Sequence, residues 1–277
     1  MTQIIRLVSI NIWDLPIHIP FGDRHRRRRH LLKQLPQLNA DLVFVQEAFR
    51  PGFRERLREH MAYSHWAPHP DPSRRVLWMH MDRHGGLMTL SRWPIEQATF
   101  QRWCTPPSMR IDERIGGKGC LWTRIATPAG QLLVGNVHMY AGNALRDARA
   151  RRAQTHELLR RGALDKTTPT LLMGDFNMAR DVEIPHRGRT GFDLLDAYGL
   201  EEIAGGSTRD LATMAPRKNR YAAFVQRVRH GRRLTQVFLR GLRPGPTPPS
   251  ICLDNPPVSD HFGLAAELQM NRTPQEE

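Results

Sequence analysis

The feature that most constrains the fold is a series of short apolar runs that recur along the whole chain. These runs have strand-like composition, and turn residues or segments with helical spacing separate them. Strands that alternate with helices indicate an α/β layer architecture. The predicted strands cover residues 4–13, 41–47, 85–93, 119–127, 131–139, 170–177, 234–241 and 263–270.

Apolar residues at helical spacing predict three helices, over about 24–38, 143–162 and 192–198. In the second helix, the stripe at helical spacing consists of Leu145, Ala148, Arg152, His156 and Leu159. Residues 127–130 (TPAG) are typical of a hairpin turn, and residues 229–233 (RHGRR) could form another hairpin tip.

No internal repeat and no linker divides the chain. We therefore expect one domain over residues 1–270, followed by a frayed tail over 271–277. Every apolar run is broken before about 18 residues, so no transmembrane segment is predicted. The N-terminus enters strand-like sequence without a basic-then-apolar leader, and we expect a cytoplasmic protein.

The charge of the chain favours anionic partners without identifying one. The 277 residues include 41 Lys and Arg against 27 Asp and Glu, a formal net charge of +14. Nucleic acid, an acidic membrane surface and phosphorylated small molecules all suit this balance. An arginine bias of genomic origin explains it equally well, because only four of the basic residues are lysines. The three cysteines form no CxxC pair, so neither a disulfide framework nor a cysteine zinc site is indicated.

Polar residues stand where the apolar runs end. In residues 169–180 (PTLLMGDFNMAR), Asp175 and Asn177 follow Gly174, and alternate residues of a strand share one face. Gly174 leaves room for a backbone or a ligand to approach. Polar groups at several strand ends predict one site built from many segments. The further members of this set are Asn11, Glu47, His138, Asp260 and His261.

These residue types point to metal-assisted hydrolysis of a phosphate ester. Carboxylates backed by amides, with no thiolate, suit Mg²⁺ or Mn²⁺ rather than structural zinc. Histidines can donate to phosphoryl oxygens, and an aspartate can orient or deprotonate the attacking water. Taken singly, Asn11 could be a turn former, Glu47 a helix cap and His138 a core histidine. The prediction therefore rests on the set and not on any one member.

Six motifs in order carry a family resemblance: SINIW (9–13), VFVQEAF (43–49), GGLMTLSRWPI (85–95), GNVHMYAG (135–142), GDFNMA (174–179) and SDH (259–261). Over residues 4–268 this set resembles the endonuclease/exonuclease/phosphatase superfamily of DNase I-like hydrolases. The resemblance implies an α/β four-layer sandwich, with two mixed β-sheets packed face to face and helices on both outer faces. Residues 116–125 (GGKGCLWTRI) and the R-x-x-Q segment of the second helix are most similar to the neutral sphingomyelinase-like branch.

The resemblance implies a role for each polar residue. The expected metal residues are Asn11, Glu47 and Asp260, and the expected ion is Mg²⁺, with Mn²⁺ as the alternative. His138 would contact the phosphate and His261 would stabilise the pentacovalent phosphorane. Asp175 would activate or orient the nucleophilic water, and Asn177 would position substrate and nucleophile. The residues expected to bind substrate are Lys118 and Asn219.

The expected partner is a phosphodiester, with a phospholipid headgroup narrowly ahead of nucleic acid. A non-catalytic anion or nucleic-acid binder that keeps the fold is the alternative from another class. The basic run at 24–30 (RHRRRRH) is interpreted as a solvated helix face, with contact to an anionic surface as the minority interpretation.

The chain departs from the family pattern before its final histidine. Relatives usually carry an aspartate followed by an aromatic residue there, but this chain has Thr235 and Gln236. The aspartate would orient the histidine and favour its charged form. Without it, we expect a less basic His261 and either lower turnover or a substitute acid such as Asp254.

The substitution Thr235→Asp tests this departure. A carboxylate at this position should raise the pKa of His261 and move the pH profile of turnover upwards. The measurement is the pH dependence of kcat for the parent and the variant. If turnover and profile are both unchanged, Thr235 does not occupy the place of the orienting acid.

Overall fold

The computed structural model describes residues 2–61, 63–68, 73–76, 79–82, 84–106, 109–161, 167–185, 188–204, 211–225 and 230–271. The strands of this part are β1 (Thr2–Asp14), β2 (Leu42–Ala48), β3 (His65–Ala67), β4 (Ser73–Val76), β5 (Met79–Asp82), β6 (Met88–Ser91), β7 (Ile95–Arg102), β8 (Gly119–Thr127), β9 (Gly130–His138), β10 (Thr170–Asp175), β11 (Glu201–Glu202), β12 (Thr235–Arg240), β13 (Arg243–Pro244), β14 (Ser250–Cys252) and β15 (Gly263–Asn271). The α-helices are α1 (Arg24–Gln34), α2 (Pro51–Met61), α3 (Ile111–Gly116), α4 (Leu145–Arg161), α5 (Gly191–Ala197) and α6 (Arg220–Val225), and the 3-10 helix Leu35–Leu38 follows α1.

The strands form two large mixed sheets. The first has the order β13-β15-β1-β2-β6-β3, with β14 also paired to β15, and the second has the order β11-β12-β10-β9-β8-β7. In each sheet one central pair is parallel, β1 with β2 and β9 with β10, and the pairs beside it are antiparallel. The predicted hairpin at 127–130 joins β8 and β9, where Thr127 pairs with Gly130.

Strict alternation along the central strands divides their side chains between two cores. On β1, Ile5 and Leu7 pack against Leu171 of the other sheet, so the two sheets lie face to face. Val8 and Ile10 point the other way and pack under α1 and α2. The outer face of the second sheet packs in the same way against α4 and α5. This arrangement is the predicted α/β sandwich of four layers.

One polar connection crosses the apolar layer between the sheets. Gln46 of β2 donates from Nε2 to Asn136 Oδ1 of β9 at 2.8 Å, and both side chains are fully buried. Asn136 in turn donates to the carbonyl oxygens of Val45 and Met88, at 3.1 and 3.0 Å. Buried polar groups are costly without partners. The connection therefore fixes one position of β9 relative to β2.

The buried face of α4 differs from the predicted stripe. Ala148 and Leu159 are buried as expected, but Leu145 and His156 are exposed and Arg152 is only half-buried. The buried face instead includes polar residues that hydrogen-bond the segment after β9, which apolar spacing cannot reveal. These residues are Arg151, Gln154 and Thr155.

The interpretation of residues 24–30 as a solvated face is wrong for two of its arginines. Arg27 is 4 % exposed and donates to the carbonyl oxygens of Ile12, Trp13 and Gly22. Arg28 forms a bidentate ion pair with the buried carboxylate of Asp14. Both arginines hold the end of β1 in place.

Several predictions concern residues that lie wholly or partly outside the described part. Residue 229 of the second predicted hairpin and residues 272–277 of the predicted tail are outside it, while Asn271 ends β15. No helix among the described residues is long and apolar enough to cross a bilayer. The assignment of residues 1–270 to one domain stays a prediction.

Replacement of Gln46 tests the connection between the sheets. Gln46→Leu leaves buried groups of Asn136 and Ser9 without a partner, and we expect the free energy of unfolding to fall by about 1–3 kcal/mol. Urea denaturation followed by circular dichroism measures it. The control Gln37→Leu, at an exposed position, should change stability by less than about 0.5 kcal/mol. Equal stability of the two variants would contradict a structural role for Gln46.

Candidate active site

The polar residues at the strand ends come together in one pocket between the two sheets. The pocket has a volume of about 790 Å³ and is lined by Asn11, Glu47, Lys118, Asp175, Asn177, Asp260 and His261 among others. His138 is fully buried beside it, and Asn219 lies outside the lining. All of the predicted site residues except Asn219 therefore lie in or beside this pocket.

Asn11 connects the two halves of the site. Its Nδ2 donates to Glu47 Oε1 on its own sheet at 3.0 Å and to Asp175 Oδ2 on the other sheet at 3.1 Å. Its Oδ1 accepts the backbone N–H of Trp13 at 3.1 Å, which fixes the orientation of the amide. A single side chain therefore holds two carboxylates of opposite sheets near one another.

Glu47 reaches the pocket because the backbone leaves the regular strand geometry there. Strand alternation alone would point it away from the inner face that carries Gln46. Glu47 instead has a φ of 58°, in the left-handed region that non-glycine residues rarely adopt. Gly86 packs against this turn, since a Cβ there would lie 2.9 Å from Glu47 Cα, and its carbonyl accepts the N–H of Ala48 at 2.8 Å.

The site concentrates negative charge in a buried place. Burial, and after it the charge of Asp260, raise the pKa of Glu47 to about 7 against the opposing effect of Lys118. Asp260 is itself buried, and Ser259 Oγ donates to its Oδ1 at 3.0 Å. A cation bound between these oxygens would relieve their repulsion.

Both histidines face the same oxygen of Asp175. His138 Nε2 lies 3.7 Å and His261 Nε2 lies 3.9 Å from Asp175 Oδ2, longer than hydrogen bonds. Neither ring nitrogen of His138 has a hydrogen-bond partner within the described chain. Burial, with the charges of Lys118 and His261, lowers the pKa of His138 well below its usual value. A neutral His138 keeps one N–H donor available for a ligand.

Asp175 and Asn177 are neighbours for a different reason from the predicted one. The strand ends at Asp175, and Asn177 lies beyond it with a φ of 51°. The backbone N–H of Asn177 donates to Asp175 Oδ1 at 3.0 Å, so a turn and not strand alternation joins them. Gly174 permits the close approach of β9, because a Cβ at Gly174 would lie 2.1 Å from the Val137 carbonyl oxygen.

The two predicted substrate-binding residues differ in their surroundings. Lys118 lines the pocket, where its Nζ donates to Glu113 Oε1 at 2.9 Å and to the Met139 carbonyl at 3.2 Å. Asn219 is fully buried and donates to the carbonyl oxygens of Ser259 and Asp260, at 2.8 and 3.1 Å. These hydrogen bonds suit Asn219 to holding the loop that carries Asp260 and His261.

Thr235 lies beside the site, but its side chain makes no hydrogen bond to it. It pairs with Asp175 in the antiparallel register of β10 and β12, and its buried Oγ1 has no partner within the described residues. The predicted substitute acid, Asp254, is exposed and does not line the pocket, because its short loop turns it to solvent. Asp175 is instead the acid that the described residues place near His261.

Some residues that build the site carried no clear signal in the sequence. Trp103 donates from Nε1 to the carbonyl oxygen of His138 at 2.7 Å, from a segment that has no recognisable motif. Arg151 and Gln154 hold the segment after His138, and only the R-x-x-Q pattern of α4 pointed to them. These side chains position the strand end that carries His138.

The donor set fits a hard divalent cation. Within the described residues, no group of three or more His, Cys, Asp and Glu side chains has the arrangement of a metal centre. The oxygens of Asn11, Glu47 and Asp260 are nevertheless the type that Mg²⁺ prefers, and Mg²⁺ usually takes only one or two protein carboxylates. Burial and the charge of Asp260 raise the pKa of Glu47, so a cation at this place would stabilise its charged form.

A sequence model of the Endonuclease/Exonuclease/phosphatase family matches residues 8–261. The chain belongs to this family. The matched region extends from the strand of Asn11 to His261, so it contains every residue of the predicted site. A sequence comparison with curated proteins gives no match.

Solved structures share the fold of this family member at low sequence identity. A Staphylococcus aureus beta toxin mutant with bound magnesium ions has a TM-score of 0.71 at 18% identity, covering 95% of this chain and 99% of that one. Sphingomyelinase C from Streptomyces griseocarneus has a TM-score of 0.69 at 18% identity, covering 96% and 99%. A truncated TDP2 from Caenorhabditis elegans has a TM-score of 0.65 at 14% identity, covering 96% and 97%.

The raised pKa of Glu47 predicts how stability depends on pH without metal. The folded-state pKa of about 7 exceeds the usual 4.5, so the folded chain keeps a proton that the unfolded chain has released. Stability is therefore lost as the pH rises from about 4.5 to about 7, by on the order of 3 kcal/mol. Glu47→Gln should remove this loss and be more stable than the parent at about pH 8.

Urea denaturation in EDTA at about pH 5 and pH 8 measures the effect. The matched control Glu59→Gln, at an exposed position on α2, should keep the pH dependence of the parent. If Glu47→Gln also keeps the pH dependence of the parent, the pKa of Glu47 is not raised in the folded chain.

Proposed function

We propose that this family member is a Mg²⁺-dependent phosphodiester hydrolase, with Mn²⁺ as an alternative ion. The observation that carries the proposal is the convergence on Asp175 Oδ2, where Asn11 Nδ2 lies at 3.1 Å, His138 Nε2 at 3.7 Å and His261 Nε2 at 3.9 Å. One carboxylate oxygen surrounded by nitrogen groups suits a place where a phosphoryl group and an attacking water meet.

Asp175 is the residue that orients or deprotonates the water. Asn11 and the N–H of Asn177 already hold its two oxygens, so its lone pairs have a fixed direction. The Nε2 atoms of His138 and His261 lie 3.7 and 3.9 Å from Asp175 Oδ2 and can donate to phosphoryl oxygens as negative charge develops. The hydrogen bond from Asn177 Nδ2 to the Met139 carbonyl, at 3.0 Å, keeps that amide near the reacting centre.

Asn11, Glu47 and Asp260 are the residues that would hold the ion. When bound, Mg²⁺ would supply positive charge to the phosphoryl oxygens and to the leaving group. The buried carboxylates of Glu47 and Asp260 repel each other, and a cation stabilises both in their charged form. The beta toxin structure named above contains magnesium ions, which supports the same ion here.

A phospholipid headgroup is the substrate that we place first. The pocket has apolar side chains beside its polar floor, among them Leu15, Ile17 and Phe49. These can accept the apolar part of an amphiphilic diester next to the scissile phosphate. The similarity to sphingomyelinase C adds support at the level of the fold.

Nucleic acid is the second candidate substrate. Arg110, His230 and Arg232 line the pocket, and the net charge of +14 favours a polyanion. TDP2 also shares the fold. A low-activity member that binds anions without turnover is the third alternative, because Thr235 stands in place of the orienting acid.

Hydrolysis of bis-p-nitrophenyl phosphate tests the reaction. The parent should turn over with Mg²⁺ or Mn²⁺ and lose activity in EDTA, and Glu47→Ala should be inactive under both conditions. His138→Gln should lower kcat by about 100- to 1000-fold, the usual effect of removing one donor to a developing anion. The control His156→Gln, exposed on α4, should have the kcat of the parent.

Equal rates with Mg²⁺ and with EDTA, for the parent and for Glu47→Ala, would contradict the proposal. A metal-supplemented panel of sphingomyelin, phosphoinositides, RNA and single- and double-stranded DNA then separates the substrate classes. Turnover of nucleic acid alone would replace the first candidate by the second.

A further inference from the structure

Exposed apolar side chains line the pocket and the surface beside it. Ile17, Ile115 and Val225 line the pocket and remain 51%, 41% and 42% exposed. Ile111 lies one helical turn before Ile115 on α3 and is 73% exposed. Phe224 precedes Val225, and its ring meets that of Phe21 edge-on at 6.4 Å between centroids. We call these residues the apolar rim: Ile17, Phe21, Ile111, Ile115, Phe224 and Val225.

Packing within the described residues does not explain the apolar rim. Phe21 is 85% exposed although its φ of 60° places a bulky residue in the left-handed region, which costs conformational energy. Phe224 is 54% exposed on a short helix whose other face is buried through Tyr221 and Ala222. A large exposed apolar patch beside a pocket marks an interaction surface.

Arginines hold the loop that presents Phe21 in one conformation. Arg50 donates to the carbonyl oxygens of Leu15 and Pro16, at 3.2 and 2.7 Å. Arg24 donates to the Ile17 carbonyl at 3.3 Å, and Arg27 donates to the Gly22 carbonyl at 2.7 Å. Arg220 of α6 pairs with Asp23, which ties the loop to the helix of Phe224. The rim is therefore pre-organised, so that little ordering is required on binding.

The polar surroundings of the rim are predominantly basic. Arg24 and Arg220 lie beside its aromatic pair, and Arg114 lies between its two α3 residues. The acids beside it on the described segments are Asp23, Asp112 and Glu113; the first two are paired with arginines and Glu113 is paired with Lys118. An apolar patch bordered by cations is complementary to an anionic bilayer, where the apolar groups enter the headgroup region and the cations meet lipid phosphates.

We propose that the apolar rim docks the chain on an anionic phospholipid bilayer, with the pocket opening onto the headgroup plane. The inference rests on the proposed function, because it brings the site to its first candidate substrate. Docking would use Phe21 and Phe224, which belong to two segments joined by Arg220 and Asp23. The residues of the catalytic pocket floor would remain free for the scissile phosphate.

Vesicle sedimentation with the full chain in EDTA tests docking apart from turnover. The parent should bind phosphatidylcholine vesicles that contain phosphatidylserine more tightly than pure phosphatidylcholine vesicles, and added salt should weaken this binding. Phe21→Ser combined with Phe224→Ser should lower the partition coefficient by at least about 10-fold, because two exposed aromatic anchors are lost.

The matched control is Ile4→Ser combined with Tyr198→Ser, at exposed apolar positions outside the pocket lining. It should bind vesicles as the parent does. Turnover of soluble bis-p-nitrophenyl phosphate by the rim variant should stay within about twofold of the parent, since the site residues are unchanged.

Equal vesicle binding by the parent and the rim variant would overturn the proposal. So would a rim variant that only loses self-association in analytical ultracentrifugation, because the rim would then be an interface between copies of the chain. Rim-dependent binding to DNA in place of vesicles would overturn it as well. Rim-dependent vesicle binding without any metal-dependent hydrolysis would sink the proposed function while the docking surface stands.

Discussion

The site depends on the two sheets keeping one relative position, because each contributes half of it. Asn11 and Glu47 come from the first sheet and His138 and Asp175 from the second. Gln46 is the residue before Glu47, and Asn136 lies two before His138 on the same strand face, so their 2.8 Å hydrogen bond lies directly beneath the site. A slide of one sheet by a single residue would leave these buried amides without partners, whereas apolar contacts alone could adapt.

This fixed frame lets the chain hold carboxylates together at a cost in stability. Glu47 occupies a left-handed backbone conformation and has a raised pKa, and both features destabilise the free fold. Asn177, two residues after Asp175, adopts the same backbone region. Strain and charge repulsion concentrated at strand ends are expected where a site is prepared for a ligand that the chain alone does not supply. A cation at the proposed site would relieve the charge repulsion.

Apolar runs were sufficient to predict the central strands of both sheets and the strand ends that carry Asn11, His138 and Asp175. They did not predict β7, whose side chains are mostly exposed. Period-two alternation failed where the backbone leaves the strand, as at Glu47 and Asn177, because a positive φ has no reliable signature in a single sequence. Spacing also misplaced the inner face of α4, where the buried residues Arg151 and Thr155 are polar. The place of Asp254 could not be foreseen, since a short loop between β14 and β15 decides whether a side chain faces solvent or the pocket.

Several of the arginines are buried and have a structural role at the strand ends. Arg27 donates to the Ile12 and Trp13 carbonyls just after Asn11, and Arg54 donates to the Ala48 carbonyl just after Glu47. Arg151 does the same for the Tyr140 carbonyl after His138. A guanidinium offers five donors in a rigid plane, so it can satisfy several carbonyls where a strand stops pairing. Lysine, with one flexible ammonium, could not fix these ends in the same way. Part of the positive charge therefore holds the strand ends that carry the site, and only the exposed remainder is available to an anionic partner.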